Sequence, residues 1–197
     1  MRKFFGTTRL SSAKNGEIVI HYYFWSPAVF VNGYDQSTDY TGDMWRRALR
    51  RLPQVFQAKK VLMLGLGLGS ALKFIQRRFR GCQITVVEWD PVMIELYREL
   101  YKQHLNIKII EGDATVIVPK LGDTFDLVLV DLFKGNVTPA ELARDKFVRA
   151  IASTLTPTGY CLLNAFVSLE LFPVFEYHLK QIDSWKYEHN SLALFKP

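Results

Sequence analysis

Lys60-Val61-Leu62-Met63-Leu64-Gly65-Leu66-Gly67-Leu68-Gly69-Ser70 sets a run of apolar residues directly before three alternating glycines. A continuously apolar run of this length suits a strand buried on both faces, as in a parallel sheet covered by helices. The glycines permit a tight turn and let a ligand approach the backbone closely. A helix is expected to follow over 70–80. Reading outward, further strands are expected at 84–87, 107–110, 125–130 and 160–164. Helices are expected at 91–103, 115–121 and 139–155, and one before the glycine strand at 43–56. There Met44, Ala48, Leu49 and Leu52 share one face, and Arg46, Arg47, Arg50 and Arg51 share the other.

Both ends of the chain read differently. Residues 17–25 and 28–31 are rich in β-branched and aromatic side chains and stop at Asn32-Gly33, which suggests a β-hairpin with a third strand near 4–9. Near the C-terminus, after a helix at 173–180, residues 184–188 and 192–195 flank His189-Asn190-Ser191 and suggest an antiparallel pair at a sheet edge. Five parallel strands and a terminal antiparallel pair outline an α/β, Rossmann-like class I methyltransferase fold. The expected division is a short N-terminal β-hairpin region over 1–40 and the Rossmann-like domain over 41–197.

Composition limits the function classes. The chain has 197 residues, 49% of them hydrophobic and 22% charged, which excludes wholesale disorder. Cys82 and Cys161 are two cysteines far apart, neither a disulfide framework nor a zinc ribbon, and are read as reduced core residues. His21, His104, His178 and His189 lack ligand spacing, so no metal is expected. The basic opening Met1-Arg2-Lys3 has no long apolar run behind it, and no stretch is suited to span a membrane. A soluble, cytoplasmic protein is expected. The net charge of +6 permits a nucleic-acid partner without requiring one, and the basic helix reads first as a solvated face.

Carboxylates recur at the ends of successive expected strands. Glu88, in Val86-Val87-Glu88-Trp89-Asp90-Pro91, lies 19 residues beyond Gly69, where an acid can accept hydrogen bonds from both hydroxyls of a ribose. Asp90 before Pro91 reads as a helix N-cap. Trp89 or the adjacent Pro91-Val92 segment is positioned in sequence to cover a nucleobase. Asp113, in Gly112-Asp113-Ala114, can accept an exocyclic amine or simply cap a helix. Asp131, in Leu129-Val130-Asp131-Leu132-Phe133-Lys134-Gly135, can bind a substrate amine or act as a base.

With these residues in hand, the chain resembles the spermidine synthase-like branch of the S-adenosylmethionine-dependent transferases over about 29–166. The segment Val31-Asn32-Gly33-Tyr34-Asp35-Gln36-Ser37 is similar to that branch's strand-glycine-glutamine segment. Met63 stands where general methyltransferases carry an acid and where spermidine synthases are apolar. Val87-Glu88-Trp89-Asp90-Pro91, Asp113, and Asp131 through Gly135 with Pro139, Leu142, Phe147, Leu155, Gly159 and Asn164 extend the resemblance. It implies that Gln36, Gly65, Gly67 and Gly69 line the methionine or aminopropyl part of the donor. Glu88 would hold the ribose, Asp113 the adenine and Asp131 the acceptor. The implied cofactor is S-adenosylmethionine or its decarboxylated form, and the acceptor is an unidentified small molecule. A homodimer is common in the branch, and the aromatic hairpin reads either as a cover or as a pairing surface.

The departures from that branch bear on the reaction. Leu68 and Lys134 replace two of its aspartates, and Thr41, Gly42 and Trp45 replace an acidic pair and a tyrosine, with Asp39 and Asp43 nearby. A lysine facing a diamine would raise its energy by on the order of a few kcal/mol at an effective dielectric near 20. The sequence therefore favours methyl transfer from S-adenosylmethionine. Aminopropyl transfer from the decarboxylated donor is the alternative, and a non-catalytic nucleoside-binding protein is a further one.

Overall fold

Lys60–Leu64 forms the strand β5 at the centre of a seven-stranded sheet in the computed structural model, which describes residues 4–24, 26–101, 106–134, 137–166 and 168–197. Expectations that touch Met1, Arg2, Lys3, Trp25, Gln103, His104 or Gly135 lie outside the described residues. The neighbours of β5 are β6 (Gln83–Glu88) and β8 (Phe125–Val130), both parallel to it. Outside them lie β7 (Ile107–Glu111) and β9 (Leu155–Asn164). The C-terminal hairpin of β10 (Lys180–Tyr187) and β11 (Asn190–Lys196) adds its second strand antiparallel to β9. The order β10-β11-β9-β8-β5-β6-β7 reverses direction of travel at β5, and ligands of such sheets bind at that switch point.

The apolar runs explain this arrangement. Val61, Met63, Leu127 and Leu129 fill one face of the sheet beneath Ala48, Leu49, Leu72 and Ile75, and Leu62, Leu64, Val128 and Val130 fill the other beneath Phe147, Val148 and Ile151. Cys82 and Cys161 are both buried and unpaired. Among the described residues no helix is long and apolar enough to cross a membrane.

Several elements depart from the sequence expectation. Helix α1 (Asp39–Arg50) begins four residues before the expected start, because Thr38 and Thr41 form a capping box. Helix α2 is Leu72–Arg78 and α3 is Pro91–Leu100. Helix α4 is one turn, Ala114–Ile117, continued by a 3₁₀ turn, Val118–Lys120. The stretch expected as one helix over 139–155 is a 3₁₀ turn, Ala140–Ala143, then an extended Arg144 and helix α5 (Asp145–Thr154). Leu142 and Phe147 still reach the same core cluster, which is why their spacing reads as continuous. Strand β9 starts five residues early, through Pro157 and Gly159, which read as a turn. Helix α6 is Leu171–His178.

The N-terminal region is a four-stranded antiparallel sheet rather than a hairpin: β1 (Phe5–Ser12), β2 (Gly16–Tyr23), β3 (Ser26–Val31) and β4 (Tyr34–Ser37). Asn32 and Gly33 both take positive φ between β3 and β4, the conformation that matches hairpin twist. Ile18, Ile20, Tyr22, Val29 and Val31 pack on Leu68, Met93, Leu96 and Leu100. Leu68 is apolar because it lies under this sheet.

A polar joint fixes the same contact. Asp90 is fully buried and caps α3 by accepting from the Val92 N–H at 2.9 Å. Its other oxygen accepts from Ser12 Oγ and from Asn15 Nδ2, both at 2.6 Å, in the β1–β2 turn. Asp90→Ala removes the cap and strands two further donors. It should lower stability by about 2–4 kcal/mol in denaturant unfolding; an unchanged midpoint would rule out this joint.

Candidate donor and acceptor site

Gly65 takes φ of +89° at the end of β5, and a Cβ there would lie 2.1 Å from the carbonyl oxygen of Asp131 at the end of β8. Gly67, at φ of +53°, would set a Cβ 2.9 Å from the carbonyl oxygen of Gln36. The loop is thus wedged between the end of β8 and the end of β4. Its position is held by Ser70 Oγ, 2.6 Å from Ser37 Oγ and bonded by Thr41 Oγ1 at 3.2 Å. Gly69 does not line the cleft described below; its missing side chain accommodates the Tyr97 ring and Leu72.

Beside the loop lies a cleft of about 340 Å³. Gln36, Gly65, Gly67, Glu88, Asp113 and Asp131, six of the seven residues singled out in the sequence, line it together with Trp89 and Met93. Glu88 is buried; its Oε2 accepts from the Leu66 N–H at 2.8 Å and its Oε1 from the Asp90 N–H at 2.9 Å. Burial pushes its carboxyl above the usual range, and these two N–H groups oppose that rise. The Trp89 N–H also bonds this carboxylate, and a carboxylate with about four acceptor positions still has room for a hydroxyl donor. Asp113 does cap α4, but both bonds, from Thr115 N and Thr115 Oγ1, use Oδ1. The donor set, acceptor-rich and closed on one side by backbone without Cβ atoms, fits a nucleoside bearing ribose hydroxyls and an exocyclic amine.

Asp131 closes this cleft and opens a second one. Its Oδ2 accepts from Trp45 Nε1 at 3.1 Å and its Oδ1 from Asn164 Nδ2 at 3.0 Å. Burial raises its pKa to about 6, against the lowering effect of the Asn164 and Trp45 donors. The second cleft, about 510 Å³, shares Gln36, Gly67, Asp131 and Phe133 with the first. Tyr34, Asp35, Tyr40, Asn164, Phe166, Glu188 and His189 build much of its remaining wall with Thr41, Met44 and Asn190, and among the described residues no lysine or arginine lines it. Burial, and then Glu188, raise the Asp35 carboxyl. Lys134 lines the first cleft and not the second.

Most of this second wall was not readable from sequence. Asp35 adjoins Gln36, which is the one available hint. Glu188 and His189 arrive from the β10–β11 turn, about 150 residues away. Tyr40 sits in this wall, accepting from Asn190 Nδ2 at 2.7 Å. The basic face of α1 is engaged by neighbours. Arg46 and Arg47 both pair with Asp43, Arg51 pairs with Asp183 at 3.0 Å, and Arg47 and Arg51 lie over Tyr187 and Trp185.

A parallel α/β sheet with acids at three successive strand ends and a glycine turn at its switch point defines a nucleoside-type Rossmann site. Residues 61–159 match the family described as a methyltransferase domain, half of the chain, and the chain belongs to that family. It is 25% identical over 119 residues to a polyamine aminopropyltransferase of Vibrio vulnificus, covering 58% of this chain and 40% of that protein. It is 34% identical over 119 residues to an ornithine lipid N-methyltransferase of Singulisphaera acidiphila, covering 58% and 60%. The matches thus span 40% and 60% of these curated relatives, less than two thirds of either. Among solved structures, spermidine synthase in complex with the transition state analogue AdoDATO superposes with a TM-score of 0.75 at 16% identity, covering 96% of this chain and 73% of that one. Human methyltransferase-like protein 13 in complex with SAH gives a TM-score of 0.62 at 20% identity, covering 80% and 81%. These likenesses show a Rossmann-like transferase fold.

The close approach at Gly65 has a direct test. Gly65→Ala combines left-handed strain with a backbone clash and should lower stability by more than about 3 kcal/mol. Gly33→Ala, at a similar φ but with nothing within 4 Å of the added atom, should lose only about 1–2 kcal/mol. Equal losses in chemical denaturation would contradict the wedge.

Proposed function

We propose that the chain transfers a methyl group from S-adenosylmethionine, held in the first cleft, to an amine held in the second. The observation that carries this reading is the meeting of the two clefts at Asp131. When bound, the donor supplies an electrophilic methyl group on a sulfonium. In this reading Glu88 accepts from the ribose hydroxyls, Asp113 from the adenine amine through its Oδ2, and the Gly65–Gly67 backbone lets the donor lie against the strand ends. The protein mainly contributes proximity and alignment. Asp131 accepts a proton from the acceptor nitrogen, which frees its lone pair.

An amine is favoured by electrostatics. The chain carries +6 overall, yet Asp35, Glu188 and Asp131 line the second cleft with aromatic rings and, among the described residues, no lysine or arginine; His189 is its one imidazole. Burial and the neighbouring Glu188 raise the Asp35 carboxyl, and a cation placed beside that pair would relieve the repulsion. The reasons seen in sequence against a cationic acceptor lose their force, since Lys134 lines the donor side and Leu68 lies under the N-terminal sheet. The names of the relatives agree in kind, one being an aminopropyltransferase of polyamines and the other an N-methyltransferase.

A second reading is aminopropyl transfer from decarboxylated S-adenosylmethionine. It is favoured by the structural likeness to spermidine synthase, which extends over 96% of the chain, whereas that to methyltransferase-like protein 13 covers 80%.

Calorimetry with S-adenosylmethionine, its decarboxylated form and methylthioadenosine separates the readings, followed by mass spectrometry of 1,4-diaminobutane and n-butylamine incubated with each donor. The expected outcome is binding of S-adenosylmethionine, weakened at least about tenfold by Glu88→Gln, and a product heavier by one methyl group. Binding of the decarboxylated donor alone would reverse the order of the two readings. Binding without any product would leave a nucleoside-binding protein, and no binding would end both.

A further inference from the structure

Asp131 is held by two side chains whose hydrogen bonds have a fixed sense. The indole Nε1–H of Trp45 can only donate, and it meets Oδ2. Trp45 itself, on the buried face of α1, is 1% exposed. The Asn164 amide can in principle be turned either way, but its Oδ1 accepts the Phe166 N–H at 3.1 Å. That bond sets the NH₂ group toward Asp131 Oδ1. Each carboxylate oxygen therefore has one N–H donor, and each donor is uncharged. Phe166 stands at φ of +47°, so the chain bends sharply just past β9, where its N–H returns to Asn164.

We propose that Trp45 and Asn164 are positioning residues for Asp131, a pair of uncharged N–H donors that keep its carboxylate ionised in a buried place and fix its orientation toward an acceptor nitrogen. The proposal rests on the reading of Asp131 as the acceptor-side base. A full positive partner such as lysine or arginine would hold the carboxylate ionised too strongly to take a proton. No donor at all would leave burial unopposed and the acid protonated. Two neutral donors lie between these limits, in keeping with a carboxyl near 6, where a base operating around neutral pH is most useful. The proton passes from the acceptor nitrogen to Asp131 and from there to solvent.

Other charged or titratable groups line the two clefts that meet at Asp131. These are Glu88 from β6, Asp113 before α4, Lys134 after β8, Glu141, Asp35 from β4, Tyr34 and Tyr40, and Glu188 and His189 from the β10–β11 turn. The hydrogen bonds seen to Asp131 among the described residues come from Trp45 and Asn164. His189 is the rival titrating group and serves as the control.

The test needs no known acceptor. In protein carrying ¹³C-labelled aspartate carboxyls, the Asp131 resonance is assigned by its loss in Asp131→Asn. It should titrate near pH 6 in the wild type. Trp45→Phe keeps an aromatic ring and removes the donor; Asn164→Ala removes the other donor. Each should raise the midpoint by roughly one pH unit, while His189→Asn leaves it in place. With 1,4-diaminobutane as the amine probe, the acid limb of kcat should move with the midpoint. That makes each variant roughly fivefold slower than wild type at pH 6 and within twofold at pH 9, with KM for the donor unchanged. Calorimetric binding of S-adenosylhomocysteine confirms that each variant is folded. A midpoint that does not move in either variant overturns the positioning role. Turnover retained by Asp131→Asn, with the midpoints shifted as expected, instead overturns the base assignment alone.

Discussion

The approach of Gly65 to the Asp131 carbonyl oxygen is the constraint around which this site is arranged. Strands β5 and β8 are adjacent and parallel, and their chains leave the sheet in different directions at the switch point. A side chain on Gly65 would push them apart. With hydrogen there instead, the main chain of one strand end rests on the other. Asp131 is brought next to the glycine turn, and its carboxylate falls between two clefts rather than behind one. Gly67 repeats the arrangement against β4, so the N-terminal sheet also contributes a wall. The site is assembled from three strand ends that touch through backbone, and this leaves the side chains of Glu88, Asp113 and Asp131 to line the first cleft rather than serve as spacers.

Local sequence made the donor side legible. Apolar runs marked β5, β6 and β8 because a doubly covered strand leaves no polar face. Asp90-Pro91 marked the start of α3 because capping chemistry acts within a few residues. The same reasoning found Glu88, Asp113 and Asp131 at strand ends. It failed where contacts are long-range. Gly69 reads as one more ligand glycine, but its freedom serves the Tyr97 ring. Leu68 reads as a lost acid, and its character is set by five apolar residues of a sheet that precedes it by about 40 positions. Lys134 reads as facing the acceptor, whereas it lines the other side. Glu188 carries no mark of its own in a turn between two strands, since only the closing of β11 on β9 brings it near Asp35.

Charge illustrates the same division between total and local. A basic chain with an arginine-rich helix suggests an anionic partner. In the folded protein Arg46 and Arg47 neutralise Asp43, Arg51 meets Asp183, and two of the guanidinium groups lie over the aromatic rings of β10. The helix is thereby fastened to the hairpin whose turn supplies Glu188 and His189. Such pairs are individually weak at an exposed surface. Their collective effect here is to orient a wall, while the concave surface behind them has the opposite sign to the molecule.

The Asp90 joint has a wider meaning for how this architecture can change. Glu88 and Asp90 are two residues apart, and Glu88 Oε1 accepts the Asp90 N–H, so the carboxylate that faces the first cleft and the one that seats the N-terminal sheet are braced by the same loop. The sheet is therefore not an appendage that a lineage can shed in one step. Its removal would expose Leu68, Met93 and Leu96 and leave the Asp90 carboxyl without its partners immediately behind Glu88. Shortening from that end must be accompanied by new partners for Asp90, whereas growth at the outer strand β1, which touches only β2 in the sheet, meets no such obstacle.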